Sequence, residues 1–532
     1  MLWTPPVDLS AREERICSRL TKQRRFFPFL RRVRHRLFDS DFQARLTSMY
    51  SDTPRGNPPH PPAFLATVVL LQAYTRSSDF DAVSNAWHDT RWQMVLDCFD
   101  AEAAPFGEAT LVDFRARLVR TNMAAELLRR TVELARETKG FGYKQVAGLR
   151  IAIDSVPLDG AGKVEDTINL LGRALRLLLL ALAAFVRLRP EEVAEEAQLP
   201  VLVAPSIKAG LDLDWHAPDA THTALNILVE HLERMTAWTE KQLDRGIRPL
   251  AVEAAQEQVD RIVAQDTELE DLRGHRRIRV GVAPDRQISI SDPAMRHGRK
   301  SASERVDGYK EYLARDLDHG LTLAACVLPA NVPEARGADT LRAQVAVHGE
   351  VTQLAIDRAF LTSEWTTELL AQPNTEVVCR SLHPATTGYF VKTDFAIDLA
   401  AGTVRCPVGK LTVIQSNLAR FEATDCTSCP SRAQCQPATA KQGRTIAIHP
   451  NEAFHQAQRH AEKTPEGRAQ LRKRVAVEHS LAHQRGRYGR FARYRGVAKN
   501  DFDAQRIAAV DNLHTIDRQV RNAPRDVLAE AA

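Results

Sequence analysis

Apolar positions recur at helical spacing through the first 125 residues. Phe64–Tyr74 is mostly apolar (Leu65, Val68, Val69, Leu70, Leu71) and follows the proline-rich stretch Pro58–Pro62, where proline is tolerated at a helix start. Ser77-Ser78-Asp79 offers side-chain acceptors to the free N–H groups of a second helix carrying Phe80, Val83 and Trp87. Thr110 is the expected N-cap of a third, with Leu111, Phe114 and Leu118 on one face. Short helices in this order fit either a helix-turn-helix-like unit or a packed bundle.

At residue 149 the period changes. Leu149-Arg-Ile-Ala-Ile-Asp alternates and is β-branched, which predicts a strand ending in Asp154. Residues 165–273 return to helical periodicity rich in Ala, Leu and Glu. Strands are then expected at Arg279–Ile290, Leu321–Leu328 and Leu354–Asp357, the first two separated by the polar segment Ser291–His319. Residues 375–448 carry short alternating runs and a cysteine cluster, and 466–517 read as helical and basic. A strand-bearing core interrupted by a helical insertion is the simplest description.

The chain has 532 residues, 44% hydrophobic and 26% charged, which suits two to four globular domains and excludes wholesale disorder or a small disulfide scaffold. Its longest apolar run, Leu177–Val186, has ten residues between Arg176 and Arg187, where a membrane span needs about 20. The start of the chain lacks the basic-then-apolar order of a secretory signal. A cytoplasmic protein with no membrane partner is the expectation. Net charge is only +5, but residues 12–36 hold ten Arg/Lys against two acids, and residues 459–506 thirteen against five. Two basic segments in a nearly neutral chain point to a polyanion.

Asp154 and Asp357 each close an expected strand, in Ile151-Ala-Ile-Asp and Leu354-Ala-Ile-Asp. Adjacent parallel strands ending this way place two carboxylates together, a donor set for hard divalent cations. Glu478 lies in a helical stretch with Arg474 at i−4 and Arg485 at i+7 on nearly the same face. A third carboxylate from that helix would complete a two-metal site, with the arginines placed to reach phosphates. Asp292, after Ile288-Ser-Ile-Ser, is the alternative second acid, although the proline beside it favours a turn.

From about residue 50 to 515 the sequence resembles DDE-type insertion-sequence transposases. Pro58-Pro-His-Pro-Pro, Leu70-Leu-Gln-Ala, Ser78-Asp79 and Thr110-Leu-Val-Asp-Phe-Arg-Ala-Arg-Leu resemble that family's helical N-terminal domain. Ile153-Asp-Ser-Val-Pro-Leu resembles its first catalytic block, followed by Glu165-Asp-Thr-Ile-Asn-Leu-Leu-Gly. Asp292-Pro-Ala-Met-Arg-His-Gly-Arg-Lys, Gly308-Tyr-Lys and Pro329-Ala-Asn-Val-Pro-Glu resemble its middle region, and Ile356-Asp-Arg-Ala-Phe-Leu its second block. Arg474, Glu478 and Arg485 keep the spacing of the third block, while Leu471 stands where many relatives have Tyr.

The resemblance implies an α/β fold: an RNase H-like mixed-sheet catalytic core with a helical N-terminal domain, a helical insertion and a small zinc-binding segment. The corresponding organisation is an N-terminal DNA-binding domain over 1–140 and a catalytic domain over 145–517. Insertions fall at about 160–275 and 400–448, and a tail follows at 518–532. It further implies Asp154, Asp357 and Glu478 as catalytic residues and ligands of two Mg²⁺ ions. The DNA chemistry implied is water attack at the element end, then attack of the released 3′-hydroxyl on target DNA. The partners implied are terminal inverted repeats and target DNA, with a homodimer in the complex and nucleoid association. A catalytically silent DNA-binding derivative and a metal-dependent nuclease of other substrates are the rival readings.

Cys406, Cys426, Cys429 and Cys435 together supply four thiolates for a structural zinc, with His449 as an alternative fourth ligand. Arg485, Arg487, Arg490, Arg493 and Arg495 alternate with Tyr488, Phe491 and Tyr494, a pattern that joins phosphate contact to base stacking. At the other end Arg24 and Arg25 are expected to meet DNA, while Phe26, Phe27, Phe29 and Leu30 argue that part of that segment packs as a helix.

Overall fold

The computed structural model describes residues 2–20, 24–50, 58–143, 148–242, 249–271, 274–300, 303–381 and 388–522. Among the described residues eight helices precede the first strand. Pro62–Thr75 begins with proline at its first turn and is buried along most of its length. Ser78 caps Asp79–His88 through a reciprocal bond with Asp81. One expectation fails here: Glu108–Arg120 is capped by Gly107, leaving Thr110 inside the helix. Phe80 of the second helix is 68% exposed.

The main sheet is built from Leu149–Asp159 (β1), Arg296–Arg299 (β4), Arg305–Asp316 (β5), Thr322–Pro329 (β6), Val351–Ala355 (β7) and Glu376–Val378 (β8). The hairpin Thr267–Leu269 (β2) and Arg276–Ile278 (β3) lies outside it. β5 pairs antiparallel with β1 on one edge, and with β4 and β6 on the other; β7 and β8 continue beyond β1 in parallel. The sheet is therefore an antiparallel meander extended by two parallel strands.

β5 is the element the residue pattern hid, since it falls in the segment expected to be a polar connection. Two of its charged residues find partners: Lys310 meets Glu334 at 2.9 Å and Asp316 meets His319 at 2.6 Å. Its apolar residues Val306, Tyr309, Tyr312, Leu313 and Ala314 are buried. Conversely, of the strand expected at 279–290 only an isolated bridge at Gln287 forms; Pro284-Asp285 lies in a turn there, with Asp285 at positive φ. β1 also runs five residues past Asp154, because β5 pairs with it as far as Asp159.

One continuous hydrophobic core joins the N-terminal helices, both faces of the main sheet, the Glu478 helix (Val475–Tyr488) and the C-terminal helix Val497–Asn522. That last helix runs through residue 522, and the remainder of the tail lies outside the described residues. The insertion has its own core, centred on Leu171, Leu175, Leu178, Leu228, Val259 and Ile262. Its helix Thr167–Val186 is long and apolar enough to cross a membrane by length and composition, yet it is largely packed within that core.

A second sheet follows: Ala396–Asp398 (β9), Thr403–Arg405 (β10), Leu411–Gln415 (β11), Leu418–Arg420 (β12) and Thr445–Ala447 (β13), an antiparallel meander. Its core is small, namely Phe395, Val404, Ala419, Phe421, Ile446 and Ile448, with Cys406, Cys426 and Cys435 packed against it.

Candidate active site and nucleic-acid interface

The parallel pairing of β1 and β7 sets Ala152 opposite Ala355. Asp154 and Asp357 each lie two residues further on, so the register carries them to the same edge of the sheet, Asp154 still within β1 and Asp357 just past the end of β7. Asp154 is half-buried in β1; Asp357 is exposed, and its carboxylate accepts the Arg358 N–H at 2.8 Å as the cap of the short helix Arg358–Phe360. Glu478 comes from the helix packed across β1.

Arg474 joins these elements. One terminal nitrogen lies 3.1 Å from an Asp154 oxygen, and the other pairs with Glu478 one turn along. Burial pushes the Asp154 carboxyl above the usual carboxylate range; the Ser155 N–H at 2.9 Å and Arg474 oppose the shift, while Glu478 and Asp357 reinforce it. Three like charges sharing one field define a place where positive charge is stabilised. Among the described residues no three His, Cys, Asp or Glu side chains are gathered closely enough to hold a metal ion. The oxygen donor set nevertheless suits a hard cation, and its mutual repulsion is what such an ion would relieve.

Beside the acids lies a cleft of about 430 Å³ lined by Arg380, Arg468, Arg472 and Arg474, with Glu462, Leu471 and Glu478. Arg380, Arg468 and Arg472 were missed in the sequence because they come from a strand end and a separate helix; only the fold turns them toward one opening.

The arginine-rich segment is partly consumed by the fold. Arg487 donates to the Tyr74 carbonyl at 3.0 Å, Arg493 to the Ser77 carbonyl, and Arg490 pairs with Asp159 at 2.6 Å. Arg76 returns a bond to the Tyr488 carbonyl at 3.1 Å. These bonds strap the segment between β1 and the N-terminal helices. Arg485 and Arg495 have no partner among the described residues, and Phe491 is 64% exposed. In the N-terminal basic stretch, Arg31 is buried against Glu13, and Arg34 against the carbonyls of Met94 and Val95. Neither faces outward, so the charge excess read along that stretch overstates its surface. Arg24 is exposed and Arg25 half-buried at the start of helix Phe26–Leu37.

Asp292 is fully buried. Its Oδ1 accepts the Tyr309 hydroxyl at 2.6 Å and the Gly496 N–H at 3.0 Å, pinning the end of the arginine-rich segment. Asp292→Asn keeps that acceptor and is expected to retain native stability and any DNA cleavage. Asp292→Ala strands the buried Tyr309 hydroxyl at a cost of about 1–3 kcal/mol in denaturant unfolding. A folded but inactive Asn variant would instead make Asp292 a metal ligand.

A cavity of about 300 Å³ lies between β1, the Glu478 helix and the C-terminal helix, lined by Arg76, Glu311, Gln484, Arg485, Tyr488 and Arg506. Glu311 Oε1 is buried there without a hydrogen-bond partner. Burial, reinforced by Asp503, Asp511 and Asp501, pushes its carboxyl to about 8. An unfolded Glu titrates near 4.3. The stability that the protonated acid permits is complete below about 4.3 and declines as pH rises, until the folded group ionises near 8. Glu311→Gln should therefore stabilise at pH 8 by on the order of 1–3 kcal/mol, and the gain should vanish toward pH 4.5. Urea titrations at the two values test this; a pH-independent gain contradicts it.

Cys406, Cys426, Cys429 and Cys435 line one cavity of about 30 Å³. The Arg444 N–H points at the Cys426 sulfur at 3.4 Å. Burial raises the Cys435 thiol, and the three other cysteines raise it further. Four thiols along one small cavity suit a thiophilic cation by donor type, although the sulfurs are not gathered closely enough here to hold one. His449 stands apart, its ring 4.7 Å from that of His455.

Two family models match the chain: a transposase domain (DUF772) over residues 17–117 and a Transposase DDE domain over residues 410–516. No curated protein and no solved structure matches it. The two matches, one on the N-terminal helices and one spanning Arg474, Glu478 and Arg485, support a DDE-type insertion-sequence transposase. Transposition, DNA recombination, DNA binding and a divalent-metal requirement come with that class.

Proposed function

We propose that the chain cuts DNA at the ends of its insertion sequence and joins the released ends to target DNA, with Asp154, Asp357 and Glu478 as its catalytic acids. The observation that carries this reading is the parallel pairing of β1 with β7 as far as Ala152 and Ala355, which leaves Asp154 and Asp357 each two residues beyond the last pair, with Asp154 tied to Glu478 through Arg474. The strand order, an antiparallel meander followed by two parallel strands, supports an RNase H-like core.

Two Mg²⁺ ions held by the three carboxylates would stabilise charge on the attacking and leaving oxygens of an in-line phosphoryl displacement. The chain's own residues do the rest. Arg380, Arg468 and Arg472 line the cleft where a backbone phosphate can be held against the acids. Arg485, Arg495 and Phe491 present unpaired charge and an aromatic face on the same segment. Arg24 and Arg25 extend the contact toward the terminal repeats, where phosphate contact fixes register and carries no sequence information by itself. Pairing two ends calls for two copies of the chain, acting at the nucleoid in the cytoplasm. The four cysteines would hold a structural zinc, stiffening the segment ahead of the Glu478 helix.

The test is excision and strand transfer on DNA carrying the gene's own flanks, with Mg²⁺. Cutting at the repeat ends supports the reading. Binding without cutting favours the silent DNA-binding derivative, and cutting that ignores the repeats favours a nuclease.

A further inference from the structure

Arg474 occupies an unusual place. It is the residue at which helix Pro465–Lys473 ends and the Glu478 helix begins. A cation at a helix N-terminus opposes the macrodipole, which favours anions there. The C-terminus of helix Pro465–Lys473 favours the same charge, so the two dipoles oppose one another at this residue and the acids decide how its guanidinium is held. Its guanidinium bonds Asp154 from β1 and Glu478 from its own helix at once. In effect one side chain balances two of the three carboxylates.

We propose that Arg474 is the resident counter-ion of the acid site. It holds Asp154 and Glu478 until a DNA phosphate draws it away, so that divalent cations bind tightly only after DNA has entered. The inference rests on the transposase reading above. The means of exchange are on hand. Arg474 is about one-fifth exposed and lines the cleft together with Arg380, Arg468 and Arg472. A phosphate gathered there offers the guanidinium a second bidentate acceptor. Once Arg474 turns to it, both carboxylates regain their oxygens for a cation. Arg474 is thus a positioning residue as well as a phosphate ligand. It keeps the acids apart from stray cations and reports the arrival of DNA. Coupling of this kind is reciprocal: whatever Arg474 withholds from the cation in free protein must reappear as a DNA-induced gain in cation affinity.

The experiment is Mn²⁺ titration by calorimetry of the full chain, with and without a pre-cut duplex bearing the gene's flank, for native protein, Arg474→Gln and Arg474→Lys. Without DNA, Arg474→Gln should bind Mn²⁺ about tenfold tighter than native, since a unit charge a few ångströms from the acids has been removed. DNA should tighten native binding by a similar factor and leave Arg474→Gln nearly unchanged. Arg474→Lys, which keeps the charge but cannot bridge two carboxylates, should tighten by a smaller factor, about threefold. A thermal melt of each variant checks its fold. Unchanged or weaker Mn²⁺ binding in both variants overturns the inference, as does a DNA-induced gain equal in native and Gln proteins. If the native chain cuts its ends with Mg²⁺ and the variants still fail in this way, only the role of Arg474 falls. If the native chain neither binds Mn²⁺ nor cuts, the transposase reading falls with it.

Discussion

Asp357→Ala is expected to abolish DNA cleavage and strand transfer, by at least about 10³-fold, while leaving the fold and DNA binding intact. The carboxylate is exposed and its one hydrogen bond is to the adjacent Arg358 N–H, so its removal leaves no buried group unpaired. The loss is therefore chemical rather than structural. Removing one of three ligands deprives the transition state of much of its charge compensation, where an in-line displacement concentrates negative charge. Glu478→Gln should behave similarly, with the added consequence that Arg474 loses one of its two partners. The measurement is single-turnover cleavage of a labelled end duplex beside a binding titration on the same DNA. Cleavage retained by Asp357→Ala would remove that residue from the site and redirect attention to Asp292.

The purified chain should carry one zinc, and Cys426→Ser with Cys429→Ser should remove it and unfold the second sheet. That sheet has few means of support besides a metal. Its six-residue core is far smaller than an independent domain needs, and its strands are three to five residues long. Zinc in small finger peptides contributes on the order of 10 kcal/mol, and loss of even part of that exceeds what this core can replace. Elemental analysis and limited proteolysis within 396–447 give the answer. A metal-free chain that resists proteolysis as well as native protein would show that the four thiols merely pack. The consequence for catalysis is indirect: β13 leads into Glu452–Ala461 and on to the Glu478 helix, so a loosened sheet should lower activity without altering the acids.

Some of this was legible in the residues alone. Helix Pro62–Thr75 follows from an apolar run behind proline, and the Ser78 cap from local side-chain chemistry. The Arg474–Glu478 pair follows from helical spacing. Asp154 and Asp357 could be matched because each sits in an Ile-Asp pair closing an alternating stretch. Elements whose character comes from partners were not visible. β5 looks like a polar connection until Glu334 and His319 meet its charges, and Arg31 and Arg34 look like surface cations until Glu13 and the carbonyls of Met94 and Val95 enclose them.

Local sequence thus determined helix Pro62–Thr75, the Ser78 cap and the existence of the β1 and β7 strands, because propensity, capping and periodicity act within a few residues. Tertiary structure alone decided that Ala152 stands opposite Ala355, that Arg474 bridges acids 324 residues apart in sequence (Asp154 to Glu478), and that Arg380 and Arg472 open onto one cleft. It also decided which arginines remain free for DNA. Charge in a sequence is a one-dimensional count, whereas its availability depends on which carbonyls and carboxylates the folded chain brings within hydrogen-bonding reach.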